Sequence, residues 1–216
     1  MSAGILAIWN DCAPGSEAEY EHWYRTEHLA ERVGVDGFVA GWRYVAVDAQ
    51  PRYFTHYTTE AVDVLFSPAY EERMNNPSPL TQAVMSGVFR NCTRTICERV
   101  LRIGDARGAF AVVAQFSDTQ DIDALSSFVQ ATSAQEDVLR AEVWVAAAVP
   151  LRETSFAEVE IRGPDRAIAA CVLIETATEG DAHSIVRGRS AQLAGADQVG
   201  LYRLMCSLSQ GDLRTT

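Results

Sequence analysis

Tyr20, Trp23, Tyr24, Glu27, His28 and Glu31 fall at i, i+3, i+4, i+7, i+8 and i+11 in one short stretch of this chain. On an α-helix that spacing puts all six on one face. Aromatics are ordinary on such a face; an acid and an imidazole are not. A carboxylate beside a buried imidazole holds it in one tautomer and raises its basicity. Free histidine titrates near ~6.5, so His28, oriented by Glu27, is a candidate general acid or base at neutral pH. The competing reading is bland: helices end in polar turns, and Glu-His is a common dipeptide.

Arg43 lies in mid-strand between Trp42 and Tyr44. An unpaired buried guanidinium is costly, so Arg43 must reach a partner. It could pair with Glu27 across a cleft, or hold a substrate carboxylate or oxyanion with its planar fork. An ion pair or a solvent-facing strand would satisfy it equally well. His56, within "YFTHYTT", and Asn10, ending the first apolar run, are further candidates for the same cleft. Trp23, Tyr24, Trp42 and Tyr44 would form its apolar wall.

Metal binding is not expected. His22 and His28 are six apart, on roughly opposite helix faces, and His28 with Glu31 would need ligands from elsewhere. Neither a G-x-S-x-G elbow nor a G-x-G-x-x-G loop is present. No cofactor is expected, although haem is conceivable through His28 or His56. All 18 basic residues are arginine. Without lysine there is no side-chain Schiff base, no anchored pyridoxal phosphate and no P-loop lysine. The formal net charge of −11 argues against nucleic-acid and anionic-membrane partners. Five cysteines, odd in number and without a C-x-x-C pair, read as small buried hydrophobes in a reduced cytoplasmic protein. The first residues, "MSAGILAIWNDC", lack a secretory pattern, and no apolar run is long enough to span a bilayer.

Those side chains need elements to hold them. Ile5–Asn10 reads as a strand, and Ser16 with Glu19 as a capping box opening a helix to about Val33. "GVDG" closes that helix, with Gly34 and Gly37 free to take positive φ. "FVAGWRYVAV" and "RYFTHYTT" form a hairpin. A helix restarted by Ser67 and Pro68 carries Phe66, Tyr70 and Met74 as a core stripe. "NNPSP" breaks it, and "TQAVMSGVF" leads into the strand "NCTRTICERV". The order is β-α-β-β-α-β, a ferredoxin-like arrangement.

Beyond the joint "RIGDARG" the order repeats: "GAFAVVAQF", a helix with Thr119 as cap, "LRAEVWVAAAV", "AIAACVLIE", a helix closed by Gly195, and "QVGLYRLMCSL". Residues 1–103 and 104–216 thus read as two ferredoxin-like halves, the first carrying the candidate site. Several strands are apolar on both parities, so another sheet must cover the face the helices leave free. Either the other half of the chain or a second subunit would serve.

"EAEYEHWYRTEHLAERVGVDGFVAGWRY", with "SPAYEERMNNPSP" and a strand beginning "RNCTR", resembles EthD-like proteins of the dimeric α+β barrel superfamily. The core of the resemblance is Trp23, Tyr24, Glu27, His28, Arg32, Gly37, Phe38, Arg43 and Tyr44, all in the first hundred residues. The second half lacks a Glu-His pair. The resemblance implies an α+β fold in which two four-stranded antiparallel sheets join into a barrel, with helices outside and a cleft between helices and sheet. It also implies a homodimer, since relatives commonly assemble that way.

The functional expectation is a cofactor-free enzyme that moves a proton on a small, largely apolar organic molecule, of isomerase, cyclase or lyase type. A cofactor-free oxygenase is a second chemistry for the same site. The alternatives are a non-enzymatic binding or helper protein using the same cleft, and a haem-binding protein.

Overall fold

The computed structural model describes residues 2–135, 137–148, 155–188, 193 and 195–213. Eight strands run in chain order: β1 (Gly4–Cys12), β2 (Phe38–Asp48), β3 (Tyr53–Thr59), β4 (Phe89–Ile103), β5 (Phe110–Phe116), β6 (Val138–Ala146), β7 (Ala170–Thr176) and β8 (Gln198–Ser209). They close into one barrel in the order β1-β3-β2-β8-β5-β7-β6-β4. All eight pairings are antiparallel. Strands β1–β4 pair in the order 4-1-3-2, and β5–β8 repeat that order as 8-5-7-6. The seams are β2 against β8 and β4 against β6.

This closure explains the strands that are apolar on both parities. On β1, Ile5, Ala7 and Trp9 fill the barrel interior, while Leu6 and Ile8 face outward under the helices. Both faces are therefore dry. The covering sheet comes from the chain's own other half, so the barrel needs no second subunit to bury these residues.

The first helical stretch comprises α1 (Glu17–Trp23), a π-helical turn (Tyr24–His28) and α2 (Leu29–Val33). The Leu29 N–H bonds the Tyr24 carbonyl, five residues back. The expected capping box does not form, because Ser16 makes no side-chain cap bond. Of the two glycines expected to turn left-handed, only Gly37 does (φ 85°); Gly34 keeps a helical φ of −75°. A Cβ on Gly37 would also stand 2.6 Å from a Val64 methyl.

Helix α3 (Pro68–Asn75) starts as expected, with the Tyr70 N–H donating to Ser67 Oγ and Pro68 in the first turn. Part of "TQAVMSGVF" belongs to a further helix, α4 (Pro79–Gly87), capped by Ser78. Helix α5 (Ile122–Ser133) is capped by Asp121, not Thr119, since Asp121 accepts from the Asp123 and Ala124 N–H groups. Helix α7 (Glu179–Gly188) is described to Gly188; most of its expected continuation to Gly195 lies outside the described residues, as does Val149.

The sequence reading placed nothing between β6 and β7, yet α6 (Ala157–Arg162) lies there. It crosses to the first half and packs on α3 and α4, and Phe156, Val159 and Ile161 join the first-half core. Among the cysteines, Cys97 and Cys171 are buried in the barrel, Cys12 and Cys92 are half-buried, and Cys206 is exposed, contrary to expectation. Among the described residues no helix is long and apolar enough to cross a membrane.

Candidate functional site

The sheet divides the residues that the sequence grouped into one cleft. Strand periodicity is two, so Arg43 points opposite to Trp42 and Tyr44. Trp23, Tyr24, His28, Arg43 and Asn10 lie on the outer side, between helices and sheet; Asn10 Nδ2 donates to the Tyr20 hydroxyl at 2.6 Å. Trp42, Tyr44 and His56 lie inside the barrel, where the His56 ring stacks on Trp42 at 4.9 Å.

Glu27 does not orient His28. Its carboxylate accepts from Ser78 Oγ at 2.5 Å and Thr81 Oγ1 at 2.9 Å, at the start of α4. Thr81 Oγ1 in turn accepts from Trp23 Nε1 at 2.9 Å. The π turn is the cause. One extra residue within Tyr24–His28 advances the inward face, so that His28, Leu29, Arg32 and Val33 are buried where an unbroken α-helix would bury Glu27, His28 and Glu31. Arg43 does not reach Glu27 either. Glu21 holds it in a bidentate pair at 2.5 and 3.0 Å, and its guanidinium lies 4.1 Å from the Tyr24 ring centre and 4.7 Å from that of Tyr53. Its fork is spent on Glu21, not on a substrate carboxylate.

His28 is 3% exposed, stacked on Trp23 at 4.0 Å and set edge-on to Tyr24 at 5.0 Å. Its Nδ1 has no hydrogen-bond partner among the described residues. One turn on, Arg32 Nη2 donates to Glu158 of α6, while Arg32 Nη1 is buried without a partner among the described residues. His28 and Arg32 line one small cavity of about 20 Å³, room for a single water. Arg94, Arg162, Glu158, Met74, Met85 and Cys92 complete its wall. Arg94 donates to the Tyr70 hydroxyl at 2.8 Å and Arg162 pairs with Asp165 at 2.5 Å.

Burial, reinforced by the charges of Arg32, Arg162 and Arg43, holds the His28 imidazole well below its ordinary pKa. It is therefore the neutral, proton-accepting form at neutral pH. Burial pushes the Cys92 thiol up to about 12, which rules it out as a ready nucleophile. His28 and Arg32 both line the cavity, and each keeps a buried polar atom without a partner among the described residues. A neutral imidazole nitrogen can take a proton, and a guanidinium N–H can stabilise the oxygen that gains charge.

Arg32, Arg94, Glu158 and Arg162 escaped the sequence reading as site residues. Arg32 was legible as i+4 from His28. Glu158 had one signal, the S-x-x-E spacing of Ser155 and Glu158 that marks a helix start. Arg94 lies within the "RNCTR" strand start of the resemblance, though nothing there marked it as a site residue, and Arg162 had no signal.

The described residues contain no cluster able to hold a metal ion. Haem fits neither expected position as the side chains stand. His28 opens on a one-water cavity, and His56 is wedged among Trp42, Tyr44, Phe54 and Trp144.

No family model matches the chain, and no curated protein matches it either. Solved structures do. An anthrone oxidase-like protein superposes with a TM-score of 0.62 at 12% identity, covering 98% of this chain and 94% of its own. A candidate monooxygenase from Fusobacterium nucleatum subsp. nucleatum ATCC 25586 gives 0.60 at 9% identity, covering 96% and 94%. A candidate chlorite dismutase gives 0.52 at 15% identity, covering 98% and 97%. The chain thus has the α+β fold of the dimeric α+β barrel proteins, with both sheets supplied by one polypeptide. At such identities the likeness establishes the fold alone.

Proposed function

We propose that this chain is an EthD-like barrel protein whose first half, residues 1–103, carries a cofactor-free proton-transfer site, with residues 104–216 as a degenerate half that closes the barrel. The substrate class is a small, largely apolar molecule bearing a carbonyl or phenolic oxygen. The observation that carries this reading is the pair of unpartnered groups, His28 Nδ1 and Arg32 Nη1, on two buried residues that line one small cavity.

In the proposed step, His28 Nδ1 takes a proton from the carbon next to the carbonyl. The C–H electron pair becomes the enolate π bond, and the oxygen gains its charge facing Arg32. Arg94 and Arg162 add positive field in a site that excludes water, where such charge is worth most. Trp23 and Tyr24 hold the ring by stacking. A cavity of one water's volume admits no organic molecule as it stands, so substrate entry requires α6 and the flexible Met74 and Met85 side chains to give way. Names of the barrels alike in shape, an anthrone oxidase-like protein and a candidate monooxygenase, are in keeping with oxygen addition to such an enolate as the second chemistry. Five cysteines without a disulfide suit a reducing, cytoplasmic setting.

The test is hydrogen–deuterium exchange at the α-carbon of a panel of small alkyl and aryl ketones, followed by NMR. Wild type should exchange faster than buffer, His28→Gln should lose about 100-fold or more of that rate, and Arg32→Gln should lose a comparable factor. The rate should hold flat as pH falls through ~6.5, because His28 stays neutral there. A binder without catalysis would show saturable binding, no exchange, and only an affinity loss in His28→Gln.

A further inference from the structure

The opposite side of the sheet holds a second feature that the His28 site does not use. At one end of the barrel, Arg99 and Arg102 of β4, Arg107 of the β4–β5 loop and Arg140 of β6 surround an opening of about 380 Å³ whose wall includes Trp42 and Thr58. In a chain of net charge −11, four arginines converging on one opening focus positive potential there.

Their partners leave charge over. Arg140 pairs with Glu142 at 3.2 Å and donates to the Asp105 and Ala106 carbonyls. Arg107 pairs with Glu175 at 3.1 Å and lies 3.8 Å from the Trp42 ring centre. Arg102 pairs with exposed Asp105 at the rim, where Glu60 is also exposed. Arg99 is left. Its side chain is 17% exposed, its nearest carboxylate is Glu142 at 3.6 Å, and its guanidinium donates no hydrogen bond among the described residues. Both Glu142 oxygens are already engaged, by Arg140 and by Trp144 Nε1 at 2.8 Å. Inside the rim, three guanidiniums (Arg99, Arg107, Arg140) face two buried carboxylates (Glu142, Glu175), an excess of one positive charge. Thr58 Oγ1, buried on the same opening, also lacks a partner among the described residues. The Arg99 pKa is lowered: burial is the largest cause, Glu142 opposes it, and Arg102, Arg140 and Arg107 add smaller contributions to the lowering.

We propose that this barrel mouth is a binding site for a small oxyanion, held by Arg99 and the Thr58 hydroxyl, with the Trp42–Arg107 stack as a platform for a flat ring. A carboxylate and a phosphate present the same chemistry to a free guanidinium fork. The site stands independently of the His28 reading.

The experiment is calorimetric titration of the full chain with sodium benzoate and, separately, inorganic phosphate, at fixed ionic strength with chloride as control. Saturable 1:1 binding of either anion is expected, weakened by about tenfold or more in Arg99→Gln and unchanged in His28→Gln. Benzoate alone assigns an aromatic carboxylate, phosphate alone a phosphoryl group, and both together a general oxyanion site. Arginine Nε–Hε resonances of the wild type provide a readout that requires no variant: the Arg99 signal should shift with bound anion. Absence of saturable binding by both anions, binding unaltered in a folded Arg99→Gln, or a stationary Arg99 signal overturns the proposal.

Discussion

At the scale of single residues, the two buried histidines carry a stability consequence of their own. His28 and His56 are both held well below the ordinary imidazole pKa, chiefly by burial, with arginines adding to it: Arg32, Arg162 and Arg43 for His28; Arg107, Arg140 and Arg99 for His56. Below ~6.5 the unfolded chain binds protons that the folded chain refuses, so stability is full above that pH and falls as pH drops toward the folded values. The limiting slope is about 1.4 kcal/mol per pH unit for each histidine, or about 2.7 for both. Glu175, held above the usual carboxylate range by burial, has the opposite sign: its contribution is present below ~4.5 and fades as pH rises through its folded value. Urea unfolding at several pH values should show the acid loss, and His28→Gln should remove about half of its slope. A slope unchanged in that variant would mean that His28 is not buried in the neutral form. The sequence identified His28 because an imidazole following aromatics at helical spacing is conspicuous. It could not show which neighbour shares its cavity, because Glu27, one residue before, and Arg32, four after, both fall within about one helical turn and only the helix register separates them.

That register belongs to the scale of elements. The periodicity of Tyr20, Trp23, Tyr24, Glu27, His28 and Glu31 assumes an unbroken α-helix, and the π turn moves the inward face by one residue. Strand order, the hairpin and the Ser67–Pro68 helix start were legible because each rests on local chemistry. Helix α6 was less so: its helical signal is brief, and its place over the first-half core depends on contacts distant in sequence, among them Glu158 with Arg32. The π turn can be tested by deletion. Removing Thr26, which is exposed and bonds only the His22 carbonyl, should yield a regular helix that still turns His28, Leu29, Arg32 and Val33 inward, with the melting temperature nearly kept. Removing Ala30 should not be tolerated. The helix could then keep Arg32 and Val33 inward only by giving up the π turn, which would bring Glu27 into the place of His28. The loss expected is about 3 kcal/mol or more, since a carboxylate would be buried and the Leu29 packing lost. Equal stability of the two deletions by urea titration would mean that the extra residue is not stored in Tyr24–His28.

At the scale of the whole molecule, the strands' two-sided apolarity correctly required a covering sheet but left its source open. Local sequence cannot distinguish a neighbouring half from a neighbouring chain, because the surface to be buried is the same in either case. Here the seams β2–β8 and β4–β6 supply the cover from within, and Trp9, Tyr44 and Phe54 of the first half pack with Trp144, Cys171 and Tyr202 of the second. Cutting the chain at the joint should therefore convert an internal contact into an intermolecular one. Residues 1–103 alone would expose β2 and β4 as open edges and the barrel-facing aromatics as a wet surface, both of which promote association. The separated first half should self-associate, with light scattering after size exclusion giving a mass at least twice that of the fragment. Co-expression with residues 104–216 should suppress this by restoring both seams, giving one complex of each half. A first half that stays monomeric and folded alone would show that its inner face does not need cover, and would remove the physical reason for the chain to carry a second half at all.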